Sequence, residues 1–185
     1  MPDPESPNSP DALGAIADQV AAGRDQIAVP ESLLREAAPS AAPRVPDKAL
    51  WAQIRDMNVA ERVKLALRGN KDARMILLRD TSRLIQRLVL HNPRISEEEI
   101  LMLAKDRNTD EEILGELAES RDWTKIYGVR IALAENARTP LAKALRLLAT
   151  LGERDLSRLA KSKGVSNVVA VQARRILARL GERRG

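Results

Sequence analysis

The sequence predicts an all-α protein built as a stack of short helices behind a disordered N-terminal tail. Between residues 58 and 180, apolar residues recur at helical spacing in short runs, each stopped by a polar break and restarted by a capping residue. Several runs close on Leu-Ala (Leu103-Ala104, Leu117-Ala118, Leu133-Ala134, Leu148-Ala149 and Leu159-Ala160), at spacings of 14, 16, 15 and 11 residues. No segment alternates apolar and polar residues with period two, so no strand is expected. A unit this short cannot bury its own apolar face; neighbours must stack, and stacking creates broad surfaces suited to binding.

Taken in order, the first 46 residues read as a mostly disordered acidic tail. They hold eight of the ten prolines, and residues 36–46 are mostly Pro, Ala and Ser, a composition with too little apolar surface to offset its ordering entropy. Asp11–Ala22 and Glu31–Ala37 are helix-compatible, either as transient helix in the tail or as a short motif that docks on a partner or on the chain's own domain, and neither carries an apolar stripe long enough to join the stack. The domain is expected over 47–185, with helices near 48–57, 59–68, 71–79, 81–91, 96–106, 109–119, 123–135, 140–151, 153–162 and 166–181. Asn58 precedes a run in which Val59, Val63 and Leu67 share a face, and Gly69-Asn70 ends it. Ser96 with Glu99 forms a capping box, and Thr109 with Glu112 is expected to repeat it. Thr139-Pro140 reads as a cap followed by proline at the first helical position, and Gly152 and Gly164 mark later breaks.

Composition narrows the chemistry. Aromatic residues are 2% of the chain, Phe is absent, and Leu, Ile, Val and Ala must fill the core. There is no Cys, hence no disulfide, thiolate metal site or Cys nucleophile. No apolar stretch is long enough to span a bilayer and no basic-then-apolar leader opens the chain, so a soluble, cytoplasmic protein is expected. Charge is distributed unevenly: residues 1–47 carry 8 acidic and 3 basic side chains, residues 48–185 carry 18 and 28. Within the domain, residues 48–94 are +7, 95–119 are −7 and 120–185 are +10, so helices laid out in order would present a striped surface.

An imperfect repeat underlies the helices. Asn70, Asn92 and Asn136 lie 22 and 44 residues apart, with Leu114 interrupting the series, and Val89–Ala104 aligns with Leu133–Leu148. Asn92-Pro93-Arg94-Ile95-Ser96 and Asn136-Ala137-Arg138-Thr139-Pro140 each keep part of an Asn-Pro-x-Thr/Ser-Pro turn. In these turns the chain resembles bacterial leucine-rich-repeat-variant and HEAT-like α-solenoid proteins. The resemblance spans 58–180 and implies a short-helix α-solenoid; since such solenoids bind proteins, nucleic acids or small ligands, it does not select among functions. Some of those proteins carry a cysteine-bound cluster, which this chain cannot hold.

Two groups of residues stand out as candidate binding sites. In a continuous helix over 123–135, Trp123, Tyr127, Arg130 and Ala134 would fall within roughly 60° of one another, placing a guanidinium amid an apolar face with Arg121 and Lys125 on the rim. Arg130 would then either pair with an acid from 95–119, with Trp123 and Tyr127 in the core, or stack on Tyr127 or Trp123 as a cationic and aromatic binding spot. The second group is Lys161, Lys163, Arg174, Arg175 and Arg179, followed by Arg183 and Arg184, which reads as a phosphate-binding surface or as the solvated cap of the stack. His91, the only histidine, ends a helix, where a cation suits the dipole; no metal role or cofactor is expected. With no phosphate loop, nucleophile elbow or Ser-His-Asp set, the leading expectation is a non-enzymatic scaffold or adaptor for a protein partner. The alternative is a nucleic-acid-binding module. A base-excision enzyme, with Asp122 beside the aromatic pair, is the one concrete catalytic version.

Overall fold

The computed structural model describes residues 9–36 and 48–182, and every regular element among them is helical. The helices are α1 (Pro10–Ala21), α2 (Lys48–Asp56), α3 (Val59–Arg68), α4 (Lys71–Leu77), α5 (Arg83–Leu90), α6 (Glu97–Lys105), α7 (Glu111–Glu119), α8 (Arg121–Lys125), α9 (Tyr127–Glu135), α10 (Leu141–Leu148), α11 (Glu153–Lys161) and α12 (Asn167–Glu182), with a 3₁₀ turn at Glu31–Leu33. They form two compact units, Met1–Ile95 and Ser96–Gly185. No described helix is long and apolar enough to cross a membrane.

Helix starts follow the capping chemistry of the sequence, with two exceptions. Asn58 and Ser96 each make a complete capping box, with Glu61 and Glu99. Thr109, in contrast, does not cap α7. Its hydroxyl is buried and donates to Leu103 O at 2.8 Å, while Asp110 accepts the helical N–H of Glu112. Thr139 is likewise buried and makes no cap bond, so α10 begins after Pro140. In both turns the threonine lies inside the connection and the next residue precedes the helix.

In the first unit α3 is the central helix, touching α1, α4 and α5. Val63 and Leu65 are both fully buried. Two residues apart on a helix they point about 200° away from each other, so α3 needs cover on opposite sides. The N-terminal segment supplies part of that cover: α1 packs on α3 and buries its own Leu13 and Val20, and Leu33 is buried in the 3₁₀ turn. Residues 9–36 therefore pack as a layer of this unit, where a mostly disordered tail over 1–46 was expected. The remainder of the Pro-Ala-Ser-rich stretch, 37–47, lies outside the described residues.

Polar contacts hold the segment in register. Lys64 Nζ donates to Asp25 Oδ1 and to Ile27 O, both at 2.6 Å. Arg74, only 2% exposed, donates to Glu36 Oε1 at 2.6 Å and to Gly69 O at 3.0 Å. The hydrogen bond from Lys64 holds the Asp25 carboxyl below its ordinary range, against the opposing effect of burial. For Glu36, burial raises the pKa, but the bonds from Arg74 and the Lys71 N–H outweigh it and the net shift is downward. Gly69 permits the sharp passage from α3 to α4, because a Cβ there would stand 2.3 Å from Leu65 O.

The three asparagines of the repeat act as buried clamps. Asn70 caps α4 by accepting from Ala73 N, and its Nδ2 donates to Ser32 O and Arg35 O. Asn92, just after α5, donates to Ala66 O at 2.9 Å near the end of α3, and accepts from Arg94 N. Asn136, just after α9, donates to Ala104 O and Asp106 O at the end of α6, and accepts from Arg138 N. Each amide thus donates to carbonyls at or just past a helical end and accepts from the chain that follows it, and the bonds to Ala66 O and Ala104 O are fully buried.

In the second unit α9 touches α6, α7, α8 and α10, and its Val129, Ala132, Leu133 and Ala134 are all buried. α12 packs on α11 and α10. The acidic block and the basic block that follows it meet within this unit. Lys143 Nζ donates to Gly115 O at 3.0 Å and lies 2.9 Å from Glu119 Oε1, and Arg146 donates to Ala118 O at 3.0 Å. Two cations of α10 therefore serve the carbonyl end of α7, and part of the expected charge striping is neutralised internally.

Two outcomes test this account. Asn136→Ala should cost about 1–3 kcal/mol, since buried carbonyls lose their donor, while Asn108→Ala on the exposed surface should stay within about 0.5 kcal/mol. Equal urea midpoints for the two variants would refute the clamp. Asp25 and Glu36 have lowered folded-state values, so their contribution is present above the ordinary carboxylate pKa near 4 and fades as pH falls through the lowered values. The protection factors of the α1 amides, corrected for intrinsic exchange, should fall in that acid window, and Asp25→Asn should remove part of the pH dependence.

Candidate functional site

The helix expected over 123–135 is two helices. After Lys125 the chain leaves helical geometry at Ile126, whose φ of −76° and ψ of 113° are extended, and α9 starts at Tyr127. Local chemistry favours the break: Thr124 Oγ1 turns back to Ser120 O at 2.6 Å, and the β-branched Ile126 takes the extended conformation easily. The single aromatic face drawn from Trp123 to Ala134 therefore does not exist. Trp123 is half-buried on α8, with Arg121 and Lys125 exposed beside it on the same helix. Lys125 pairs with Asp122 at 2.8 Å, and this hydrogen bond lowers the carboxyl's pKa; with both groups well exposed the pair adds little stability.

Tyr127 and Arg130, one turn apart on α9, do come together. The Arg130 guanidinium carbon lies 5.1 Å from the Tyr127 ring centroid, within cation–π range. Tyr127 is 39% exposed. Its hydroxyl donates to Asp155 Oδ2 at 2.5 Å and accepts from Gly152 N at 3.0 Å, which pins the ring to the start of α11. Arg130 reaches Thr150 O through a long 3.4 Å bond, and its Nε is buried without a partner. The acid from 95–119 that would have neutralised it is not there: among the described residues Arg130 makes no ion pair.

The result is a charged plate on an aromatic ring, held by contacts to the other side of the ring's hydroxyl. Such a plate can accept a carboxylate or phosphate at the guanidinium edge while an apolar group rests on the tyrosine. Sequence reasoning found Tyr127 and Arg130 but missed Asp155, Gly152 and Thr150. They lie 20 to 28 residues downstream, and only the return of the chain through α10 brings them near.

The second candidate surface is exposed as expected. Lys161, Lys163, Arg174, Arg175 and Arg179 all face solvent, and Arg174 Nε donates to Ala160 O at 3.2 Å, linking α12 to the end of α11. Arg183 and Arg184 lie outside the described residues. His91 ends α5, and its Nδ1 donates to Arg87 O at 2.9 Å; no group of metal-ligating side chains occurs among the described residues. No protein-family model matches the chain, and neither curated proteins nor solved structures include a significant match to it.

Tyr127→Phe tests how far the hydroxyl supports this plate. It should cost about 0.5–1.5 kcal/mol, because Gly152 N and Asp155 each lose a bond at a partly wet site. It should also loosen Arg130, seen as faster exchange of the guanidinium N–H signals. Unchanged stability and exchange would show that Asp155 and Gly152 do not hold the ring.

Proposed function

We propose that this protein is a non-enzymatic helical-repeat adaptor, of the α-solenoid type that its turns resemble, and that it binds a protein partner. Arg130 and Tyr127 anchor that partner. The observation carrying this reading is the guanidinium on the exposed tyrosine ring, which lacks an acidic partner among the described residues. The tyrosine ring and the long bond to Thr150 O satisfy this charge only in part, and its Nε is buried without a hydrogen-bond partner. A half-buried cation is costly unless paired, whereas methionine at the same position would fill the space without desolvation cost. An acidic or carboxylate-bearing side chain of the partner would supply the missing charge, and aromatic and arginine side chains are the usual centres of binding energy at protein interfaces.

The exposed basic cluster Lys161, Lys163, Arg174, Arg175 and Arg179 favours a second reading, a surface that binds nucleic acid through phosphates. No aromatic side chain is interleaved with it, so binding of this kind would be insensitive to base sequence.

Capture from native extract with the full chain and with Arg130→Met, each with and without nuclease, separates the two. The adaptor reading expects a protein partner that survives nuclease and is lost with Arg130→Met, while the variant melts at or above the parent temperature. Nuclease-sensitive capture that depends on Arg174, Arg175 and Arg179 supports the second reading instead. Retention of the partner by Arg130→Met overturns the anchor.

A further inference from the structure

A cleft of about 350 Å³ lies in the first unit and is lined by Ala21, Leu67, Arg68, His91, Pro93 and Arg94. Two lining residues are permanent cations, a third is the chain's only histidine, and none is acidic. The remaining three are apolar. This composition matches an organic anion with a compact charged end.

The clamp at Asn92 brings the cations together. It ties the turn after α5 to the last turn of α3, so Arg68 at the end of α3, His91 at the end of α5 and Arg94 in the turn line one opening. Each arginine is steadied by a backbone carbonyl of the N-terminal segment: Arg68 Nη2 donates to Ala21 O at 3.4 Å, and Arg94 Nη1 to Leu34 O at 2.7 Å. One N–H of each fork is used in this way, and the others remain for a ligand. The acids that feel these arginines, Asp25 and Glu36, are themselves bound by Lys64 and Arg74.

Cations at helix C-termini also favour the dipole, which offers an ordinary explanation for Arg68 and His91. The second unit argues against that explanation being sufficient. Around Asn136, whose amide grips Ala104 O as Asn92 grips Ala66 O, the corresponding positions hold Asp106 and Glu135. Acids stand there in place of Arg68 and His91, so the frame does not require those two cations, whereas Arg94 has its counterpart in Arg138, which donates to Asn108 O at 3.5 Å. Arg94 belongs to no helix, and the dipole argument does not reach it.

We propose that this cleft binds a phosphate monoester bearing an apolar group. A phosphate monoester carries about −1.5 to −2 charge near neutral pH and three strong acceptors, which two guanidinium forks complement. A carboxylate would be satisfied by one fork. Ala21, Leu67 and Pro93 then receive the ester group. The ester can come from a free small molecule or from a phosphorylated side chain of another protein, since both present the same head group.

His91 makes the test direct, because its ring signals are the only histidine signals in the full chain. With ¹⁵N-labelled histidine and constant ionic strength, phenyl phosphate should shift those signals saturably. Inorganic phosphate should bind several-fold more weakly, and benzyl alcohol should leave them unmoved. Arg68→Gln and Arg94→Gln should each weaken phenyl phosphate about tenfold or more, as expected for losing a charge-assisted bond. Should either variant melt early, Arg68→Lys and Arg94→Lys keep the charge but lose the fork, and an intermediate weakening is expected. A phosphotyrosine peptide that binds much more tightly than phenyl phosphate assigns the source to modified protein; equal affinity assigns it to free esters. Absence of saturation at tens of millimolar, or parental affinity in the arginine variants, overturns the proposal.

Discussion

The structure depends on how the carbonyl ends of very short helices are satisfied. A helix of seven to ten residues leaves four carbonyls unpaired at its end, a large fraction of its backbone, and stacking buries some of them. Asn70, Asn92 and Asn136 meet this need with one side-chain type. An amide is suited to the task because it donates and accepts at once without carrying a charge into the interior. Where an amide is absent, in α7, the cations Lys143 and Arg146 of a later helix reach the same kind of carbonyl from outside. Helix–helix registry in both units therefore rests on polar bonds between an end and a turn, while the Leu, Ile, Val and Ala core supplies the burial.

Most of the fold was legible because its signals are local. Helix positions follow from apolar spacing and from caps such as Asn58 with Glu61, and these depend only on neighbours within a turn. Contacts across longer distances were not legible. The spacing of Asn70, Asn92 and Asn136 was visible, yet its meaning as a clamp needs the carbonyl each amide reaches, 26 to 38 residues upstream. The N-terminal segment was misread for the same reason. Its prolines and short apolar runs suggested a tail, whereas Leu13, Val20 and Leu33 are buried in a unit where α1 lies against α3. A hint was present in α3 itself, where Val63, Leu65, Ala66 and Leu67 make a surface too wide for one-sided packing.

At the candidate site, helical periodicity was extended through a break that it could not register. Thr124 and Ile126 are both β-branched, a weak local cue that the 123–135 run is interrupted. The pairing of Tyr127 with Arg130 survived because both lie after the break, one turn apart. Trp123 did not share that fate, and its role in recognition has no support from the Arg130 stack. The exposed lysines and arginines of α11 and α12 were read correctly as solvent-facing, since surface charge on an amphipathic terminal helix needs no distant partner.

The layer made by residues 9–36 bears on how the chain is made. During synthesis α1 emerges from the ribosome well before the helix it covers, which begins at Val59, and bonds such as Arg68 to Ala21 close loops of 47 residues. The segment must wait, unpartnered, for α3 to follow, and α3 in turn has one bare apolar side until α1 returns to it. Completion of the first unit thus requires a contact between α1 and α3 across a long stretch of chain. A nascent chain in which α3 has emerged but α1 has not yet returned leaves Val63 or Leu65 open to the folding machinery of the cell.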